Sequence, residues 1–204
     1  QYLWLSLVTI AQQHGIRDPH IFRGPDGGFY LAMTDLHLFS QKKFADDPHY
    51  SKLSAYRDGE WERSGKDYGW GNNRGLVLMK SFDLKHWTRT NLDFSQLPPQ
   101  PDMNWKEIGC AWAPETVYDY ETQQLMVHFT TREGAGKNII YYVYVNDDFT
   151  QIKSKPQLLF EAPGRRYNVI DSDIIKVGDT YHLFYVSHEH GATPVHATGS
   201  CITG

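Results

Sequence analysis

Three carboxylates share a setting. Asp18 stands at the head of Asp18-Pro19-His20-Ile21-Phe22, Glu115 within Ala113-Pro114-Glu115-Thr116-Val117-Tyr118, and Asp171 within Ile170-Asp171-Ser172-Asp173-Ile174-Ile175. Each precedes a short apolar run, a turn and then an aromatic-rich run. Acids gathered at the floor of one pocket suit the cleavage of a glycosidic bond. One carboxylate must be ionised to activate water, and another must stay protonated to donate to the leaving oxygen. Unlike surroundings drive the two pKa values apart. Taken singly, each acid reads as a turn residue accepting backbone N–H groups. Their recurrence at one place in three repeats is the argument for chemistry.

The elements that must position these acids are strands. Helical periodicity is hard to find. Short runs of β-branched and aromatic residues recur instead, over 29–34, 75–79, 125–130, 139–145 and 180–186. Gly, Asp and Asn punctuate them, as in Gly24-Pro25-Asp26-Gly27-Gly28, Asp119-Tyr120-Glu121-Thr122 and Val177-Gly178-Asp179. This pattern predicts an all-β sandwich, barrel or propeller. The N-terminal stretch 2–8 also reads as a strand.

Internal repetition chooses among these. Each acid-bearing unit runs through a hairpin into a second strand. Leu76-Val77-Leu78-Met79 and Tyr142-Val143-Tyr144-Val145 supply the later strands of the first two units. A four-stranded repeat is the propeller blade, whose first strand lines the central channel. The predicted blades lie at about 16–95, 108–162 and 168–204, with the third incomplete. An acid at the same place in each first strand then converges on one axial pocket. The long connection from Asp35 to Arg74 is the main irregular part. Its end, Tyr68-Gly69-Trp70-Gly71-Asn72-Asn73-Arg74-Gly75, reads as a pocket rim.

Composition narrows the partners. The chain has 204 residues, formal net charge −4, 14% aromatic residues, 6 Trp and 13 Tyr. A mildly acidic balance argues against nucleic acid as a partner. No apolar run is long enough for a transmembrane helix. Aromatic richness argues against disorder and suits sugar rings, which offer flat C–H faces to Trp and Tyr. Cys110 and Cys201 are too few for a disulfide framework and are expected as free, packed thiols. No leader with a basic start and a small-residue cleavage site is visible; a mature secreted chain looks the same.

Against this background the motifs resemble those of glycoside hydrolase family 43. Arg17-Asp18-Pro19-His20-Ile21 is similar to its base-bearing motif, Trp112-Ala113-Pro114-Glu115 to its second-blade motif, and Val169-Ile170-Asp171 with Ile174 to its third-blade motif. An apolar residue stands three after both Asp18 and Asp171, which picks Asp171 rather than Asp173 as the counterpart. Asp173 adds a second charge beside it. The resemblance spans nearly the whole chain.

It implies a five-bladed β-propeller, of which about three blades are present, the others coming from the rest of the chain or a partner chain. It implies inverting hydrolysis of terminal α-L-arabinofuranosyl or β-D-xylosyl residues in plant-type polysaccharides. Asp18 would be the general base and Asp171 the carboxylate that orients the general acid and raises its pKa. Trp112 and Glu115 would line the pocket; Arg17, and Trp70 and Asn73 of the rim segment, are the further substrate-binding candidates. No cofactor is required and no metal ligand set is assigned, although a structural calcium ion is compatible with the family. An extracellular or periplasmic location is expected.

The family's acid is a Glu in the blade after Asp171. The one Glu that follows Asp171, Glu189, falls just after a strand of the same blade, the wrong place for that role. The alternative reading is therefore a non-catalytic carbohydrate-binding propeller, or an inactive piece lacking the acid. A third is a structural β-domain whose aromatics are all core. His182, His188, His190 and His196 lack tight metal-ligand spacing. The glycines at 69–75 lack the strand–helix setting of a dinucleotide site. Arg165-Arg166 reads as a solvated turn.

Overall fold

A computed structural model describes residues 15–36 and 73–204 of the chain. The expected strand at 2–8 and most of the long connection, including Trp61 and Trp70, lie outside these residues. The described part is all-β, with three antiparallel sheets whose strands follow in chain order. Sheet one holds β1 (Gly15–Arg23), β2 (Phe29–Leu36), β3 (Gly75–Ser81) and β4 (Thr88–Asp93). Sheet two holds β5 (Ile108–Asp119), β6 (Gln124–Glu133), β7 (Ile139–Val145) and β8 (Gln157–Phe160). Sheet three holds β9 (Val169–Val177), β10 (Thr180–Ser187) and β11 (Thr193–Gly199). These are propeller blades, two of four strands and one of three.

Turn chemistry sets the hairpins. The Asp26 side chain accepts the Gly28 N–H at 2.9 Å, and Gly27 takes φ +80°, which a side chain would resist. Asp119 does the same in the β5–β6 turn, accepting the N–H groups of Glu121 and Thr122.

Sheet two is buried on both faces, so its strands read as near-continuous apolar runs rather than an alternation. Leu125, Val127 and Phe129 of β6, with Tyr141 and Val143 of β7, join Tyr30, Ala32, Leu76 and Leu78 in the core between sheets one and two. Their neighbours Met126 and Tyr142 point the other way, toward Ile174, Tyr181 and Ile202 at sheet three. Part of the aromatic excess is spent here. The Phe94 ring lies 4.5 Å from Phe129 and 5.7 Å from Trp105, and Trp105 meets Tyr141 edge-on at 5.4 Å. Stacked sheets with aromatic interiors place the three first strands, β1, β5 and β9, side by side.

Candidate active site

The first strands share one irregularity. In β1, Arg17 pairs with Thr34 and His20 with Ala32, so two residues of β1, Asp18 and Pro19, oppose one of β2. In β5, Trp112 pairs with Thr130 and Glu115 with His128. In β9, Ile170 pairs with Val186 and Asp173 with Phe184. Each is a bulge with one extra residue, a device that bends a strand and re-aims its side chains. The first bulge residue is left-handed in all three: φ is 52° at Asp18, 43° at Ala113 and 53° at Asp171. None is glycine, so each carries the strain of a sparsely populated conformation.

The bulges correct one expectation. Asp18 and Asp171 are equivalent, but their counterpart in sheet two is Ala113, not Glu115. Glu115 is equivalent to His20 and Asp173, two residues further on. The site therefore has two tiers: Asp18 and Asp171 at the bulge, then His20, Glu115 and Asp173 beside it.

In the first tier, Thr34 Oγ1 donates to Asp18 Oδ2 at 2.9 Å, and Arg17 Nε lies 3.3 Å from Asp18 Oδ1. Both acidic side chains of this tier remain open to solvent in part. The walls around Asp171 nonetheless desolvate its carboxyl and push its pKa up. The negative charge of Asp18 adds to this, against the pull of Arg17 and His188.

In the second tier, burial pushes Glu115 up to about 8, helped by the carboxyl of Asp173 and then by the charge of Asp171. Glu115 is thus a neutral acid at neutral pH. His20 Nδ1 accepts the Thr116 N–H at 3.1 Å, which leaves its proton on Nε2, 3.9 Å from Glu115 Oε2. Burial holds His20 below its ordinary pKa, against Asp173. His128, fully enclosed behind Glu115, is brought down to about 3 by burial and then by His20, against Asp173. Its Nδ1 lies 2.8 Å from the hydroxyl of Ser172, the second bulge residue of β9.

The other expected residues fall differently. Arg17 is about half exposed beside Asp18. Trp112, its counterpart in β5, carries the Arg132 guanidinium 5.2 Å over its ring. Asn73, expected at a pocket rim, is fully buried at the junction of sheets one and two, where it bridges to Cys110. That burial denies it the surface a sugar contact needs. Trp70 lies outside the described residues. Glu189 sits exposed in the β10–β11 turn. Among the described residues, no group of three or more His, Cys, Asp or Glu side chains is arranged to hold a metal ion. Sequence reasoning missed Thr34, Thr130, His128 and Ser172. The only trace of the first two was a Thr after the apolar run of both second strands.

Comparisons with known proteins concern the chain as a whole. Residues 7–203 match the family Glyco_hydro_43_rel, described as a probable glycosyl hydrolase domain. An α-L-arabinofuranosidase from Bifidobacterium longum subsp. longum is 25% identical over 207 residues, covering 91% of this chain and 16% of the relative. A thermostable family-43 glycoside hydrolase superposes with TM-score 0.52 at 18% identity, covering 84% of this chain and 41% of that one. The α-L-arabinanase of Penicillium chrysogenum gives TM-score 0.53 at 11% identity, over 90% of this chain and 46% of that one. The chain thus spans less than half the length of these relatives.

Proposed function

Because this chain belongs to the Glyco_hydro_43_rel family of probable glycosyl hydrolase domains, we propose that it forms part of an inverting glycosidase. Its substrate is a glycan ending in α-L-arabinofuranose, with β-D-xylose the second choice. The observation that carries this reading is the pair of equivalent left-handed bulges that bring Asp18 and Asp171 into one electrostatic environment. A fold that places two carboxylates at strained, matching positions of two first strands on either side of β5 suits acid–base work.

Asp18 acts as the general base. Water attacks the anomeric carbon from the face opposite the leaving group and gives its proton to Asp18, while the glycosidic C–O bond breaks. The departing oxygen takes a proton from a separate carboxylic acid. In inverting enzymes about 6.5–9.5 Å separates acid and base, which leaves room for that water. Asp171 supplies negative charge beside the acid, raising its pKa and holding its orientation. The family resemblance assigns the acid to a further blade. Arg17, Trp112 and Glu115 line the sugar pocket.

The test is Asp18→Asn in the full-length protein, assayed on an aryl α-L-arabinofuranoside with the released anomer followed by NMR. Hydrolysis with inversion by the parent, and its loss in the variant, is expected. Unchanged turnover in Asp18→Asn sinks the assignment. Sugar binding by calorimetry with no product from the parent would replace hydrolysis by carbohydrate binding.

A further inference from the structure

We propose that Thr34 is the positioning residue for Asp18, and that it takes its own orientation from the bulge of the next sheet. The inference rests on the reading of Asp18 as the base. Thr34 is fully buried and its hydroxyl has two partners. It accepts the N–H of Ala113 at 2.9 Å and lies 2.9 Å from Asp18 Oδ2. A hydroxyl carries one proton. The Ala113 N–H can only donate, so it occupies a lone pair of the Thr34 oxygen. The Thr34 proton is thereby directed at Asp18. That carboxylate oxygen is held as an acceptor, in one place, from inside the protein.

The arrangement is built twice. Thr130 stands in β6 where Thr34 stands in β2, opposite the residue before the bulge. Its hydroxyl accepts the Asp171 N–H at 3.0 Å. Each threonine therefore grips the left-handed residue of the following sheet: Ala113 for Thr34, Asp171 for Thr130. In sheet one the same hydroxyl also meets an acid in its own sheet. In sheet two the residue at that place is Ala113, which has no side-chain oxygen to receive a proton. Ala113 thus serves the base without touching it. Its strained φ of 43° aims an N–H across the sheet junction.

Two substitutions in the full-length protein separate orientation from packing. Thr34→Val keeps the shape and removes the hydroxyl; Thr34→Ser keeps the hydroxyl and removes a methyl. On an aryl α-L-arabinofuranoside, Thr34→Val is expected to lower kcat by about 10- to 100-fold with KM within about twofold, the signature of a displaced reacting group. Thr34→Ser is expected to stay within about threefold of the parent in kcat. Loss in Ser as deep as in Val overturns the proposal, as does Val at parental kcat. Should Val not fold, a fall of more than about tenfold in Ser also overturns it. A crystal structure of Thr34→Val, or of Thr34→Ala if Val does not fold, reads positioning without substrate. Displacement of the Asp18 carboxylate by about 1 Å or more supports it, and an unmoved carboxylate refutes it. If the parent cleaves no glycoside, the proposed function fails, and that displacement alone decides the role of Thr34.

Discussion

Glu115 of β5 and Asp173 of β9 are counterparts one sheet apart, and the carboxyl of Asp173 helps raise the pKa of Glu115. Neighbouring carboxyl groups resist ionising together, so one keeps its proton more readily. Burial and the charges of Asp171 and Asp173 leave that proton on Glu115. The site floor therefore carries a neutral acid next to ionisable ones.

The proton has a stability consequence with a definite sign. Glu115 is raised from 4.5 to about 8, so the folded chain binds the proton more tightly, and stability falls as pH rises from 4.5 through about 8. His128 is lowered from 6.5 to about 3, so the unfolded chain binds the proton more tightly, and stability falls as pH drops from 6.5 toward about 3. Each slope is at most about 1.4 kcal/mol per pH unit. Glu115→Gln, which mimics the protonated acid, should remove the alkaline slope from urea midpoints measured between pH 5 and about 8. An unaltered slope in that variant contradicts a protonated Glu115.

Thr130 anchors the backbone of Asp171. Replacing it with Val leaves the Asp171 N–H without its acceptor and should cost about 1–3 kcal/mol in urea unfolding. Thr130→Ser keeps the oxygen and should cost clearly less. Equal losses in the two would assign the effect to the methyl group.

Trp105 joins the two larger sheets. It is fully buried among Phe94, Phe129 and Tyr141, and its indole N–H donates to Gln100 Oε1 at 3.1 Å. Trp105→Ala should destabilise the chain by about 3–5 kcal/mol, and Trp105→Phe by less. Denaturant unfolding followed by circular dichroism measures both.

The two thiols should differ sharply. Cys110 is buried at the junction of sheets one and two, and burial pushes its thiol up to about 12. Cys201 is only half-buried. A disulfide reagent at pH 8 should modify one thiol quickly and the second only after unfolding, since the thiolate is the reactive form. Two fast thiols would place Cys110 outside the core.

Much of the fold was legible in the residues. Runs such as Ile139–Val145 are strands because their β-branched and aromatic side chains fit a pleated surface buried on both sides. The turn residues Asp26, Gly27 and Asp119 marked the hairpins. Asp18 and Asp171 were legible as counterparts, and the spacing to Ile174 separated Asp171 from Asp173. Asn73 was misplaced because an amide among glycines resembles a rim, whereas the bridge to Cys110 that buries it depends on a residue 37 positions away. The equivalence of Glu115 with Asp18 failed for a different reason. Ala-Pro-Glu and Asp-Pro-His each put an acid beside a proline, but on opposite sides of it.

What the sequence by itself determined is the strand pattern and the family, because these rest on local periodicity and motif. What only the tertiary structure decided is which carboxylates stand at equivalent positions and what surrounds each. A bulge adds one residue to one strand, and its place is defined by the partner strand rather than by spacing. The proton on Glu115 comes from burial against β9, and the grip of Thr34 on Asp18 from a backbone N–H in another sheet. Both depend on groups brought together from distant parts of the chain. No local pattern encodes their separation or their desolvation.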